Sequence, residues 1–342
     1  MQKSRLIILF ACLVAGILSI IFLYAFSAYQ NNKSNGFVRQ YPSKKVEGIR
    51  FIDLKHKGFY IAGCNNDTIY FGHYIDKLAL FRVALNSRDT SSIRLRANQE
   101  LKLYDGNYLR TDSNDLYLFD GIKQEVVSGK LRDFRFDKIE KSPSFTAALP
   151  IGNDSRILRV MNKNRVYTLI SQTGTKVLDK HYQLEAQGDG TFSTDGMLVK
   201  SSNNSFFYVY YYRNQFLHLD KDMNLLYKGK TIDTVSHAQI KLGKIENGHA
   251  STLASPPLYV NKHCAANENY LFIQSALKAD NEIEEGWKNS SVVDVYAVKD
   301  GKYQFSFYML NIKDQKLKDF KVYGSTLIAL YENFIYTYKL KL

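Results

Sequence analysis

Four carboxylates and the single tryptophan of the chain fall within eight residues, Asp280-Asn-Glu-Ile-Glu-Glu-Gly-Trp287. A flat aromatic ring beside clustered negative charge suits a cationic ligand or a basic segment of a protein partner. Upstream, His237 and His249 lie in the stretch 231–257. A histidine brought near Glu284 or Glu285 around a shared substrate would instead supply the general acid and base of a hydrolase or lyase. Trp287, Glu282, Glu284, Glu285, His237 and His249 are therefore the candidate site residues. The plain alternative is a pair of solvated loops with the tryptophan plugging their rim.

Other chemistries find no support in the spacing. The seven histidines never form His-Glu-x-x-His or another compact metal-binding pattern. There is no Gly-x-Ser-x-Gly elbow and no phosphate-cradling glycine loop. Asp220-Lys-Asp222-Met-Asn224 opens like a calcium loop, but its sixth position is Leu225 and its twelfth Thr231, which fits a polar turn instead. No metal and no cofactor is expected. Cys64 and Cys264 read as two buried thiols, not a disulfide.

The elements that position these residues follow from composition. A chain of 342 residues that is 45% hydrophobic and 14% aromatic can bury a large core. Tyrosine (25) and phenylalanine (21) are abundant and proline (5) is scarce, a balance that favours strands. The formal charge of +13 is partly terminal: residues 1–47 hold six Lys/Arg against one acid, leaving 40 against 32 from residue 48 onward. The remaining bases alternate with acids, as in Asp137-Lys-Ile-Glu-Lys141, so no single-sign track exists for a nucleic acid.

Residues 6–26 carry no charge. At 1.5 Å per residue, a helix of that length spans roughly 31 Å, matching a bilayer core of about 30 Å. Lys3 and Arg5 precede it and Tyr24 and Tyr29 lie near its far end, so a transmembrane helix with a cytoplasmic N-terminus is expected. Lys33, Arg39, Lys44 and Lys45 follow closely and weaken the charge asymmetry. A cleavable signal peptide is the rival, because Ala25-Phe-Ser27 spaces small residues as a signal peptidase requires, although the apolar run is longer than an ordinary signal core. Leu9-Phe-Ala-Cys12 has too few apolar residues before it to act as a lipoprotein box. Residues 27–47 are mostly polar and read as a linker.

Beyond residue 48, short apolar runs are broken at close intervals by Gly, Asn, Asp and Ser, and no long stretch keeps a helical period. Turns near Asp76-Lys77, Gly121, Gly174 and Asn224 are 45, 53 and 50 residues apart, about the size of a four-stranded propeller blade. A further turn at Asp300-Gly301 follows after 77 residues, which requires insertions. Dividing 48–342 by a period of about 49 gives six blades. The last strands end short of a full blade, and Gly48-Ile-Arg-Phe-Ile-Asp-Leu54 could supply the missing strand and close the ring.

In this pattern the chain resembles six-bladed β-propellers of the TolB-like and NHL-like type, in the membrane-anchored or secreted versions common in Bacteroidota. The resemblance covers about 290 residues. It lacks the Gly-Gly pair of kelch, the Trp-Asp pair of WD40 and the repeated tryptophan of quinoproteins, and Ser193-Thr-Asp-Gly196 is only a fragment of a sialidase Asp box. The expected organisation is a short cytoplasmic tail (1–5), a transmembrane helix (6–26), a polar linker (27–47) and an all-β six-bladed propeller (48–342). The stretch 231–257 then joins blades 4 and 5, and 277–290 joins the second and third strands of blade 5 on the same face. The tyrosines of Ser205-Phe-Phe-Tyr-Val-Tyr-Tyr-Tyr212 are apolar on both sides of a strand and read as core between blades, not as a stacking platform. The expected protein is a single-pass membrane protein whose propeller lies outside the cytoplasm, on the periplasmic side of a bacterial inner membrane. It would bind a protein or a small cationic ligand, with a hydrolase or lyase acting at the mouth of the ring as the alternative.

Overall fold

Turn residues and alternating apolar strands dictate a series of hairpins, and in the computed structural model these hairpins form a closed ring of six blades. The structure describes all residues except 1, 32–33, 44, 66, 88, 153, 202–204 and 245–250, and omits the side chains of 2–6, 8–9, 26–31, 244 and 251. The inner strands of blades 1 to 6 are Phe59–Asn65, Tyr108–Asp112, Phe145–Gly152, Gly196–Lys200, Asn261–Ala266 and Asp319–Tyr323. Each packs beside the next around the ring, and the sixth returns to the first. Blade 2 gains a fifth, outermost strand, Arg96–Ala97, paired in parallel.

Closure is by exchange between the two ends of the propeller. Val46–Asp53 pairs antiparallel with Phe334–Leu340 and becomes the outer strand of blade 6. The sequence reading of a borrowed strand at 48–54 holds, with the strand beginning two residues earlier. Inter-blade packing is equally cyclic, because six hydrophobic clusters each join one adjacent pair of blades. The strand Ser205–Tyr210 is buried along its whole length. Phe206, Tyr208 and Tyr210 face blade 3, while Phe207 and Val209 face blade 5, as expected of a strand sandwiched between blades.

The period was phased one strand out between blades 2 and 3. The turns at Asp76-Lys77 and Asp120-Gly121 join second to third strands, whereas those at Gly174, Asn224 and Gly301 join third to fourth. Both turn types draw on the same Asp, Asn and Gly chemistry, with Gly174 and Gly301 in left-handed conformations, so turn composition could not distinguish them.

The N-terminal helix is Gln2–Asn31. Its side chains from residue 10 to 25 are all exposed, covered by no part of the propeller. Among the described residues no helix is long and apolar enough to cross a membrane. The segment read as linker does more than connect. Phe37 and Arg39 are buried, and residues 34–41 run as a strap over blade 5 before the chain enters blade 6.

Candidate functional site

Antiparallel strands alternate direction, so the turns between second and third strands emerge on one face together with the blade-to-blade connections. The two loops singled out in the sequence do share that face. The first, 231–257, carries a small hairpin, Leu242–Lys244 with Ser251–Leu253, and the second carries a short helix, Glu284–Lys288.

These loops hold the strap in place. The Arg39 guanidinium sits between Glu282 (2.6 Å) and Asp294 (2.7 and 3.1 Å), with all three side chains buried, and also donates to the Leu277 carbonyl. Burial alone would lower the Arg39 pKa, but Asp294 and Glu282 outweigh it and raise it. The Tyr41 hydroxyl donates to Glu282, and its ring stacks on Tyr308 at 4.5 Å. Asp280 accepts from Ser34 Oγ and from the amides of Asn35 and Gly36, which holds its carboxyl below the usual range. Phe37 closes the contact by packing against Val260, Leu277 and Ala279.

The six sequence candidates therefore separate. Glu282 points inward as the strap's counter-charge. Glu284 pairs with Lys278 (2.9 Å) and Lys288 (3.2 Å), and Glu285 is exposed with no ion pair among the described residues. Trp287 is half-buried, its ring 5.9 Å from the Arg39 guanidinium carbon. His237 is exposed and meets Ser236, while its neighbours bond Gln187 on the far side of the loop. The strap runs between the two loops, bonded to Thr234 on one side and Asp280 on the other. His249 lies outside the described residues.

The convergent site on this face is the mouth of the central channel, a cavity of about 490 Å³. Every blade lends it part of its inner strand: Tyr60, Arg110, Ala148, Leu198, His263 and Lys321 come from blades 1 to 6 in turn. Its wall is stapled by tyrosine hydroxyls. Tyr60 Oη of blade 1 accepts from Leu109 N of blade 2 at 2.7 Å, and Tyr108 Oη of blade 2 accepts from Ala148 N of blade 3 at 2.7 Å. Their ring faces flank the Arg110 guanidinium, at 5.7 and 5.2 Å from the centroids.

Across the mouth, Asp319 Oδ1 lies 3.6 Å from His263 Nδ1 and 3.5 Å from Lys321 Nζ. Burial lowers the His263 pKa more than Asp319 raises it, which favours a neutral imidazole. Cys264 and Cys64 are free thiols, each pushed up to about 12, chiefly by burial. Below the mouth a narrower cavity of about 160 Å³ leads to the ion pair of Lys200 and Asp112.

The motif search missed Arg110, His263, Asp319 and Lys321 because each stands in an ordinary short strand. A signal was present in the alternation: Tyr108, Arg110 and Asp112 occupy one side of their strand, and Asp319, Lys321 and Tyr323 one side of theirs, opposite buried Leu109, Phe320 and Val322. Polar residues at period two on an inner strand face the channel.

The fold has clear counterparts. A candidate exported protein of Bacteroides fragilis NCTC 9343 is similar with a TM-score of 0.55 and 10% identity, over 89% of this chain and 97% of that one. A member of the DUF4221 family from Bacteroides vulgatus ATCC 8482 is similar with a TM-score of 0.54 and 12% identity, over 88% and 99%. A virginiamycin B lyase from Staphylococcus aureus aligns over 86% of this chain and 99% of its own, at 11% identity and a TM-score of 0.49. No family model and no curated protein matches the chain. What these likenesses establish is architecture: the chain is a six-bladed β-propeller.

Proposed function

We propose that this protein is a membrane-tethered, extracytoplasmic binding module whose ligand enters the channel mouth. The observation that carries the reading is a cavity at the mouth lined by all six inner strands, with a half-buried arginine, three lysines and a histidine converging on it. Groups fixed on strands at the open end of a ring are preorganised for binding. The tether rests on the sequence: an uncharged 21-residue run preceded by Lys3 and Arg5 fits a signal anchor with the propeller outside the cytoplasm.

The test is a thermal-shift screen of the full chain in detergent micelles against neutral, cationic and anionic small molecules. At least one class should raise the melting temperature, and Arg110→Gln or Tyr211→Ala should remove the shift. A screen in which no compound of any charge stabilises the protein would sink the binding reading. Carbonate extraction and protease accessibility in intact cells test the tether: the protein should stay with the membrane and its propeller should be cleaved from outside the cytoplasm.

One observation favours a second reading, a hydrolase or lyase at the same mouth. A neutral His263 3.6 Å from Asp319 has the form of a general base with its orienting carboxylate. The His237 version has no comparable support, because His237 makes no contact with Glu284 or Glu285 among the described residues. Turnover of any ester or glycoside that survives His263→Ala unchanged would exclude His263 as the base.

A further inference from the structure

Arg110 and Lys321 line both the mouth and the narrower cavity beneath it, so the two cations stand at the throat where one opens into the other. Arg110 has no carboxylate partner among the described residues. Its Nη1 donates to the carbonyls of Ile61 (3.2 Å) and Leu109 (3.4 Å), while Nε and Nη2 donate to no described group. Lys321 shares Asp319 with His263 and also donates to the Cys264 carbonyl at 3.4 Å. Lys318 stands on the rim, 5.2 Å from the Tyr74 ring centre and 3.9 Å from Glu332.

The charge of the two cavities does not balance. Lys77, Arg110, Lys200, Lys318 and Lys321 face Asp105, Asp112, Asp319 and, beside Lys318, Glu332, a surplus of one positive charge. Asp112 is already engaged by Lys200, with both carboxylate oxygens 2.8 Å from Nζ. Lys321 has Asp319 and Lys318 has Glu332, so the charge left at the throat is that of Arg110. Above it stand the rings of Tyr60, Tyr74, Tyr108 and Tyr211, and the hydroxyls of Tyr60 and Tyr108 are committed to the blade-to-blade staples.

We propose that the throat is a seat for the oxyanion of a small organic acid, whose carboxylate or phosphate oxygens bond Arg110 and Lys321 and whose body lies against the tyrosine rings. The inference rests on the binding reading above and names its ligand class. Guanidinium and ammonium groups held in a partly enclosed site favour an oxyanion strongly, and ring faces favour a flat or apolar body. Two sources of such an anion are open to this mouth, a soluble acid and an anionic lipid headgroup. The strap leaves the propeller on the mouth face at Ser34, three residues from the end of the helix at Asn31, a reach of about 11 Å. A helix anchored in the bilayer therefore keeps that face near the lipid surface.

The test uses three probes of one shape: benzoate, neutral benzamide and cationic benzamidine, titrated by ligand-observed NMR into the full chain in phosphatidylcholine nanodiscs. Benzoate should bind about tenfold or more tightly than benzamide, with benzamidine weakest. Arg110→Gln and Lys321→Gln should each weaken benzoate by about tenfold. Lys318→Gln, a rim change that leaves the throat intact, should weaken it less and guards against a throat variant that fails to fold. Inorganic phosphate should bind more weakly than benzoate; equal binding would overturn the role of the tyrosines. Loss of benzoate binding in phosphatidylglycerol nanodiscs would assign the seat to a lipid headgroup, and unchanged binding would assign it to a soluble acid. Equal affinity for benzoate and benzamide, a preference for benzamidine, or indifference to Arg110→Gln would overturn the anion seat. Those outcomes leave the binding reading standing, whereas a wider screen in which nothing binds would remove both.

Discussion

Lys200 of blade 4 and Asp112 of blade 2 meet across the central channel, past the inner strand of blade 3, with Nζ 2.8 Å from both carboxylate oxygens. Each is the last residue of its inner strand. The pair is partly shielded from water, with side chains 28% and 13% exposed, so its attraction is stronger than that of a surface pair. Lys200→Gln should cost about 2 kcal/mol by leaving Asp112 without its cation. Adding Asp112→Asn should recover part of that loss. Urea unfolding of the two single variants and the double variant gives the coupling energy, and simple additivity would show that the contact contributes nothing.

Arg39 closes the strap, so its loss should act locally before it acts globally. In Arg39→Ala the Glu282 and Asp294 carboxylates face each other in a site built to exclude water. Breaking a buried pair from one side costs about 3–5 kcal/mol where the site cannot open. Here the strap can lift, which hydrates both acids at a smaller cost. Amide hydrogen exchange should rise in residues 277–282 and 303–308 and stay unchanged in blades 1 to 3. Uniform acceleration around the ring would mean that the strap holds the whole propeller together.

His218 should make the protein acid-sensitive. Its Nε2 is 2.8 Å from Ser205 Oγ and its ring stacks on Phe207 at 4.2 Å, and burial lowers its pKa to about 4. Above the unfolded value near 6.5 the imidazole is neutral in both states, and this contribution is fully present. As pH falls through 6.5 the unfolded chain takes up the proton first, so stability declines until the folded state also titrates near pH 4. The loss from this group is about 3 kcal/mol at most. In His218→Gln the difference in unfolding free energy between pH 7 and pH 4.5 should shrink. An unchanged difference would place the acid sensitivity on other groups.

Two glycines should respond oppositely to alanine. A Cβ on Gly63 would stand 2.2 Å from Thr111 Oγ1 and 2.4 Å from the Thr111 carbonyl, where the inner strands of blades 1 and 2 touch. Backbone cannot yield as a flexible side-chain end can, so Gly63→Ala should cost about 3 kcal/mol. Gly286, in the short helix of blade 5, has nothing within 4 Å of the same position. Gly286→Ala should be neutral or stabilise by up to about 1 kcal/mol through helix propensity. Chemical denaturation of both variants checks the contrast, and a harmless Gly63→Ala would show that the inner ring has slack.

The propeller was legible because its information is local. Each hairpin announces itself through apolar strands and Asp, Asn or Gly turns, and the incomplete last blade pointed to 48–54 as the closing strand, which the structure forms as Val46–Asp53. Phasing was less secure, since strands of similar length and turn chemistry let the repeat slip by one strand between blades 2 and 3. The run of acids around Trp287 was visible as an unusual loop, but the cation that neutralises Glu282 is Arg39, 243 residues away in a segment whose composition reads as linker.

By itself, then, the sequence determined the all-β class, the blade count, the closing strand and the burial of Tyr208, Tyr210 and Tyr212, but not that Tyr211, read with them as core, lines the channel mouth, because periodicity and turn chemistry act between neighbours along the chain. Only the tertiary structure decided which face carries the site and which residues meet there. Arg110, His263, Asp319 and Lys321 come from blades 2, 5 and 6, and their spacing along the chain carries no mark of their meeting. Ring closure brings them together, since a propeller turns residues at equivalent positions of distant strands into neighbours around one channel.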